Sequence, residues 1–505
     1  MTNTVTTSSA ASPSATPTAT DSPDQSVARS PRREAVIIGA LSLAAMIVSM
    51  MQTLPVPILG RIQSDLGASS AGVSWVTTAT LLSAAVFTPL LGRYGDQHGK
   101  KRTLVGVLVV MVIGSIVAAL AHNLPLLILG RVLQGTATAI FPLALSVLRE
   151  EIRPQKLPGA MALVSGTLAF GSGLALVATG LLTSAPDADY RNAFWMATGF
   201  AVLALIAVAT LVPPTTHKSG GRVDLIGALS LGAALLLLLL AISQGHQWGW
   251  LSPLTVGVFV GSIVMFAVWV WIEKIVDEPL VDMRMFVHRP VMMANLAGVV
   301  VGFGMFANFL GISYLAQLPR DLTGYGFDAS ILRASVEFLL PGAIVSLIAA
   351  PIGGRLIRLR GPRFVLGLTA ILGAVPFAWL AFDHTHTASV IGAGMVIGAA
   401  LSLGYAAMPA IIMSNVPHHQ SGIANGINSI SRSTGSAIGS AVVTTILASM
   451  TIANLPEGVP AMPSESAFTV TFATAGVAFV LVGLVGWLGL RPAHSPSASE
   501  QPPAA

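Results

Sequence analysis

The sequence predicts an all-α membrane protein: two six-helix bundles with two extra helices between them. Three observations carry this. Apolar residues make up 53% of the 505-residue chain and charged residues only 9%, whereas a soluble surface is roughly a quarter or more charged. The apolar residues fall in runs of about 20, the helix length that crosses ~30 Å of hydrocarbon. Lys and Arg gather in every second connection between runs, as orientation in a bilayer demands.

Residues 1–34 are rich in Ser, Thr, Ala and Pro, with too little apolar surface to offset the entropy of ordering, so a disordered tail is expected. No apolar core lies near Met1, and the first run is long enough to span, so a cleaved signal peptide is not expected. Spans are predicted at 35–56, 72–91, 103–121, 124–147, 158–182 and 192–212, giving an N-terminal bundle over 35–213. A pair follows at 225–243 and 253–272, within 223–273. The C-terminal bundle, within 291–490, holds 291–315, 330–356, 364–382, 388–413, 421–450 and 467–490, and leaves 491–505 as a second tail. The count is about fourteen spans.

Charge tests that count, because one miscounted helix would invert every later connection. With both termini on one side, the great majority of the 26 Lys and Arg fall on that side, which is expected to be cytoplasmic. The exceptions are Arg61, Arg191, Arg320 and Arg333 on the opposite side, and Arg131 and Arg432 within spans. The net charge of +5 is thereby explained by topology, and nucleic acid is not an expected partner. The expected partners are the lipid bilayer of a cell membrane and a small-molecule substrate, with the chain acting as a monomer.

An internal repeat agrees with this layout. Pro89, Gly92, Arg93 and Gly99 recur at one constant spacing as Pro351, Gly354, Arg355 and Gly361, each set after the second helix of a half. Pro154 and Gly159 likewise recur as Pro417 and Gly422. Parallel repeats about an axis normal to the membrane place a substrate path at their interface and permit alternating access by rocking.

Other chemistries are absent from the pattern. There is no cysteine, no Gly-x-x-x-x-Gly-Lys-Ser/Thr loop and no His-Glu-x-x-His, and His418 and His419 are adjacent rather than one helical turn apart. No enzyme activity, metal or organic cofactor is expected.

Gly92-Arg93-Tyr-Gly-Asp96-Gln-His-Gly99-Lys100-Lys101-Arg102 reads as a short loop in which glycines permit a tight turn and one acid faces several bases. It resembles the signature of the major facilitator superfamily, a resemblance that covers essentially residues 35–490; the second copy has Arg358 at the Asp96 position. Leu129-Gly130-Arg131-Val-Leu-Gln134-Gly135 resembles the fourth-helix motif of that family. Asp224-Leu-Ile-Gly227, Pro279-Leu-Val-Asp282 and residues 417–435 resemble its fourteen-helix drug:proton antiporter branch, which contains multidrug and antibiotic exporters. The resemblance implies proton-coupled efflux of amphipathic small molecules. The chain departs from that branch in two places: the fifth helix has Gly166, Gly171, Gly173 and Gly180 without a Gly-Pro pair, and the first helix has Gln52 but no carboxylate. A uniporter or symporter for a metabolite is the alternative that these departures favour, and a non-transporting receptor or channel-like relative is the alternative of a different class.

Charges inside spans are the site candidates. A central Arg costs on the order of 3 kcal/mol unless it faces water or a partner, so Arg131 is expected to face the central path, with Gln134 and Gly135 on the same helix. Glu337 is the one acid well inside a span, ~10 Å along its helix from Ser330. It is either a proton carrier or the partner of Arg333, four residues earlier. Arg432 lies on a polar stripe with Asn425 and Asn428 and either lines the pathway or reaches back toward the inner surface. Asn308, Gln317 and Tyr405 are further cavity candidates, each also able to bond a neighbouring helix for about 0.6 kcal/mol.

Overall fold

The computed structural model describes residues 2, 30–183, 189–214, 224–276, 279, 281, 283–417, 420–452 and 462–489. The long helices of the N-terminal half are α1 (Pro31–Thr53), α2 (Ser70–His98), α3 (Lys100–Ala119), α4 (Leu124–Glu151), α5 (Leu157–Leu182) and α6 (Arg191–Leu211). The central pair is α7 (Leu225–Trp248) and α8 (Pro253–Ile275). The C-terminal half comprises α9 (Arg289–Gln317), α10 (Ile331–Arg360), α11 (Pro362–Phe382), α12 (Thr387–Asn415), α13 (Ser421–Ser449) and α14 (Glu465–Gly489). Among the described residues, 13 helices are long and apolar enough to cross a membrane. The remaining long helix, α13, has the length but carries Asn425, Asn428, Arg432 and several serines. That polarity is tolerated because α13 packs against α9, α2, α7 and α4, away from lipid.

Local chemistry explains the ends of the helices. Ser69, Asn123, Asp224, Ser252 and Ser330 each accept a bond from a first-turn amide of α2, α4, α7, α8 and α10, satisfying donors that the helix itself leaves free. Ser30 does the same for α1, so Pro31–Glu34 belong to that helix rather than to the expected tail. The rest of that tail, residues 491–505 and His418–His419 lie outside the described residues. Gly99 and Gly361, at matching repeat positions, link α2 to α3 and α10 to α11 with φ of 113° and 82°, a region that side chains with a Cβ avoid. Residues Gly92 to His98 are helical, so only Gly99 makes the turn that the sequence spreads over a loop.

Large apolar side chains such as Ile263, Trp271, Val375 and Phe382 stand exposed around the outside, a surface whose solvent is hydrocarbon. Between the halves, α5 lies along α10, with Gly166 against Ala350, Gly173 against Ala343 and Gly180 against Leu332. On the other side α2 meets α13 near the end that carries Gly99, hereafter the basic end, with Gly92 against Gly422 and Gly426 against Thr88. The central pair is not peripheral to this seam: α7 packs against both α2 and α13, and its Ser243 bonds Thr78 at 2.6 Å. Helix α8 packs on α7 and turns its other faces outward.

Candidate functional site

A cavity of about 320 Å³ lies between the halves toward the end remote from Gly99, lined by Gln52, Thr80, Arg131, Ser243, Ser440 and Thr444 among others. A deeper chamber of about 40 Å³ shares Gln52, Ser433 and Ser436 with it and adds Arg432, Phe141 and Tyr405. A third, apolar space of about 70 Å³ between α5, α9, α10 and α12 holds Asn308, whose buried Oδ1 meets no hydrogen-bond partner among the described residues. None of the described Asp or Glu side chains lines any of the three.

Arg131 is 1% exposed and does not reach back to a surface. Its Nε donates to the Val76 carbonyl at 3.0 Å, and its Nη1 donates to the Met51 carbonyl at 2.9 Å and to Gln134 Oε1 at 2.5 Å. Sequence explains the Met51 contact. In a continuous helix Met51 O would accept from the amide of residue 55, which is Pro55 and has none. The guanidinium supplies the missing donor at the point where α1 gives way to a 3₁₀ turn over Val56–Ile58. Gln134 in turn donates to Ser115 at 2.9 Å, and Gly135 lets α4 cross α2 close to Thr80 and Ser83. Arg131 therefore ties α1, α2 and α4 together while forming one wall of the cavity.

Arg432 sits at the centre of the molecule, ~16 Å along α13 from Ser421. Its Nη1 donates to Asn428 Oδ1 at 2.8 Å and its Nη2 to Ser429 Oγ at 2.9 Å. The rings of Phe141 and Tyr405 flank it at 4.8 and 5.2 Å. Asn428 donates across to the Ala294 carbonyl of α9 at 3.1 Å, so its role is to orient Arg432 and hold α9. Asn425 bonds its own helix at Ser421 and lines none of the three cavities. Tyr405 meets Met305 Sδ at 3.0 Å. Phe141 and Gln52 complete this chamber, and sequence reasoning missed Phe141 because one aromatic among apolar neighbours carries no distinguishing pattern.

At the basic end Asp96, of the Gly92–Arg102 segment, forms a latch between the halves. Asp96, 2% exposed, accepts from the backbone amides of Gly422 and Ile423 at 3.0 and 3.4 Å. These are first-turn donors of α13 and a natural anion site. Lys100 lies 3.7 Å from Asp96 and also pairs with Glu150. A Cβ on Gly92 would come within 3.1 Å of the Gly422 carbonyl, and one on Gly354 within 2.5 Å of Gly159 Cα. The repeat positions thus cross each other twice, once on each side of the seam. Arg149 adds a bond unforeseen from sequence, donating to the Met413 and Val416 carbonyls at 2.8 and 3.1 Å, where α12 ends with free acceptors. Arg93 is half-buried beside this latch and Arg102 is exposed.

Two candidates stand apart. Gln317 is exposed, bonds Ser313 on its own helix and lines none of the three cavities. Glu337, on a π-helical turn of α10, pairs with Arg333 at 2.7 Å, and their side chains are 32% and 53% exposed. An exposed pair of this kind contributes little to stability. Glu337→Gln is expected to leave the melting midpoint nearly unchanged and any pH dependence of transport intact. Loss of that pH dependence, measured in vesicles, would return Glu337 to the role of proton carrier.

Residues 41–440 and, in an overlapping match, 339–504 fit the Major Facilitator Superfamily. The chain is 28% identical over 419 residues to an uncharacterized MFS-type transporter of Mycobacterium tuberculosis, covering 82% of this chain and 59% of that protein; it thus spans well under two thirds of that relative. It is 26% identical over 416 residues to the tetracenomycin C resistance and export protein of Streptomyces glaucescens, covering 81% of this chain and 75% of that one. The crystal structure of the human organic anion transporter MFSD10 superposes with a TM-score of 0.63 at 14% identity, covering 90% and 99% of the two chains, a likeness of fold alone. With the repeat, the latch and the central cavity all lying within the matched residues, this chain belongs to the Major Facilitator Superfamily.

Proposed function

We propose that the chain is a secondary exporter of amphipathic small molecules, working by alternating access in a bacterial cell membrane with proton entry as its drive. The observation that carries the reading is the asymmetry of the seam between the halves. At the basic end Asp96 and Arg149 bridge the halves, while the cavity of about 320 Å³ lies toward the other end. The positive-inside bias puts the basic end and both termini in the cytoplasm, so this state is closed to the cytoplasm. Rocking of the halves that parts the Gly92/Gly422 and Gly354/Gly159 crossings would reverse it. The name of the Streptomyces relative supports export over import.

Proton coupling is assigned to the closed end. Asp96 is the buried carboxylate that contacts both halves, and its neutralisation would weaken the latch. A uniporter is the second reading, favoured by the lack of any carboxylate in the three cavities among the described residues. Reconstituted vesicles with an acidic lumen separate the two. One-for-one exchange against a gradient of about one pH unit supports about tenfold accumulation of a fluorescent amphipath, since a factor of ten is ~1.4 kcal/mol. Equilibration without accumulation would establish uniport, and no movement at all would end the export reading.

A further inference from the structure

We propose that the deep chamber selects amphipaths bearing a negatively charged oxyanion, such as a carboxylate or sulfonate, and that Arg432 is its seat. The proposal deepens the export reading and rests on it for the direction of movement only.

The first support is the charge inventory of the path. Two charged side chains line the three cavities among the described residues, Arg131 and Arg432, and both are cations. The described carboxylates sit at the two ends of the bundle instead: Glu34, Asp96, Glu150, Glu151, Asp224 and Glu273 near the basic end, Asp65, Asp189, Asp321, Asp328, Glu337, Asp383 and Glu465 near the other. An organic cation entering this path meets positive charge with no compensating acid, and an anion meets the opposite.

The second support is the difference between the two arginines. Arg131 is committed to backbone and to Gln134. Arg432 bonds two neutral side chains of its own helix, and no ion pair to it occurs among the described residues. A guanidinium has five N–H donors in a planar fork matched to an oxyanion. Its other N–H groups find no acceptor among the described residues, and the side chain borders the chamber. A buried cation without a counter-ion is costly, and the flanking rings offset only part of that cost. A ligand oxyanion would supply what the protein withholds.

Shape agrees. The deep chamber, about 40 Å³, has room for a headgroup, and the adjoining cavity of about 320 Å³, which shares Gln52, Ser433 and Ser436 with it, has room for an apolar body. Phe141 comes from the N-terminal half while Arg432 and Tyr405 come from the C-terminal half, so a headgroup held there touches both halves and its release is tied to their rocking.

The test is calorimetric titration of the full chain in phosphatidylcholine nanodiscs with three probes of like size: naphthalene-2-sulfonate, 2-methoxynaphthalene and trimethyl(2-naphthyl)ammonium. The sulfonate is expected to bind about tenfold tighter than the neutral probe, one charge-assisted contact being worth roughly that factor, and the ammonium weakest. In Arg432→Gln the ratio of sulfonate to neutral affinity should collapse toward one, and Arg432→Lys should keep part of it. Ammonium binding as tight as sulfonate, a preference that survives Arg432→Gln, or no binding of any probe would overturn the proposal. If Arg432→Gln does not fold, the wild-type order of the three probes decides. Adding phosphatidylglycerol to the discs distinguishes a lipid headgroup, which would compete with the sulfonate, from a free amphipath, which would leave its affinity unchanged. Because binding is read without a gradient, it stands or falls separately from the vesicle assay of export.

Discussion

Asp96→Asn is expected to slow transport on the order of ten- to a hundredfold while leaving the protein inserted and folded, because a state-specific contact of about 1–3 kcal/mol shifts a two-state equilibrium by that range. In the closed state the carboxylate accepts from two first-turn amides of α13 with Lys100 nearby. Asparagine keeps the size and one acceptor but loses the charge that the helix N-terminus favours, and it can present an N–H to donors. Lys100 retains Glu150, so no cation is abandoned. The chain contains no cysteine, so Ala424→Cys, at a residue 1% exposed beside the latch, gives a single reporter. Its labelling by a membrane-impermeant thiol reagent should rise in the Asp96→Asn background as the basic end opens. Unaltered turnover together with unaltered labelling would reduce this segment to an ordinary topological loop.

Arg131→Leu is expected to be the most destabilising single change considered. It orphans the Met51 carbonyl, which Pro55 cannot serve, and Gln134 Oε1, both buried. At about 1–3 kcal/mol for each unsatisfied buried group, the loss is roughly 2–6 kcal/mol, enough to empty the membrane of folded protein. Arg131→Lys should recover part of it, because one ammonium can reach one of the two acceptors but cannot reproduce the fork. The melting midpoint in detergent and the yield of monodisperse protein measure both variants. A normal midpoint for Arg131→Leu with transport abolished would show that the side chain serves the path rather than the bend in α1.

How far the sequence reached can be judged residue by residue. The apolar helical runs, the repeat and the placing of Gly99 and Gly361 at the turns were legible because each is a local property: a run length, a spacing, a residue free of Cβ. The 421–450 run was legible as a long helix, though its polarity keeps it outside the 13 that a hydropathy criterion admits among the described residues. Arg131 was legible as anomalous, since a cation in hydrocarbon needs a reason. Its partners were not, because Met51 and Val76 are far away in the chain, and the absent amide of Pro55 matters only once α4 crosses α1.

Glu337 shows the converse. Seven positions into a predicted span it reads as buried, yet whether a position on a membrane helix faces a cavity, a neighbour or the outside depends on the rotation of that helix, which hydropathy over a uniformly apolar stretch does not encode. The same holds for α7, whose sequence predicts a span and whose packing makes it a cavity wall. Chain-local chemistry determined by itself that this protein crosses the membrane as two repeated halves. Only tertiary structure decided which polar groups meet at the seam, because those meetings join residues such as Asp96 and Gly422, or Phe141 and Arg432, whose separation along the chain carries no signal until the halves close on one another.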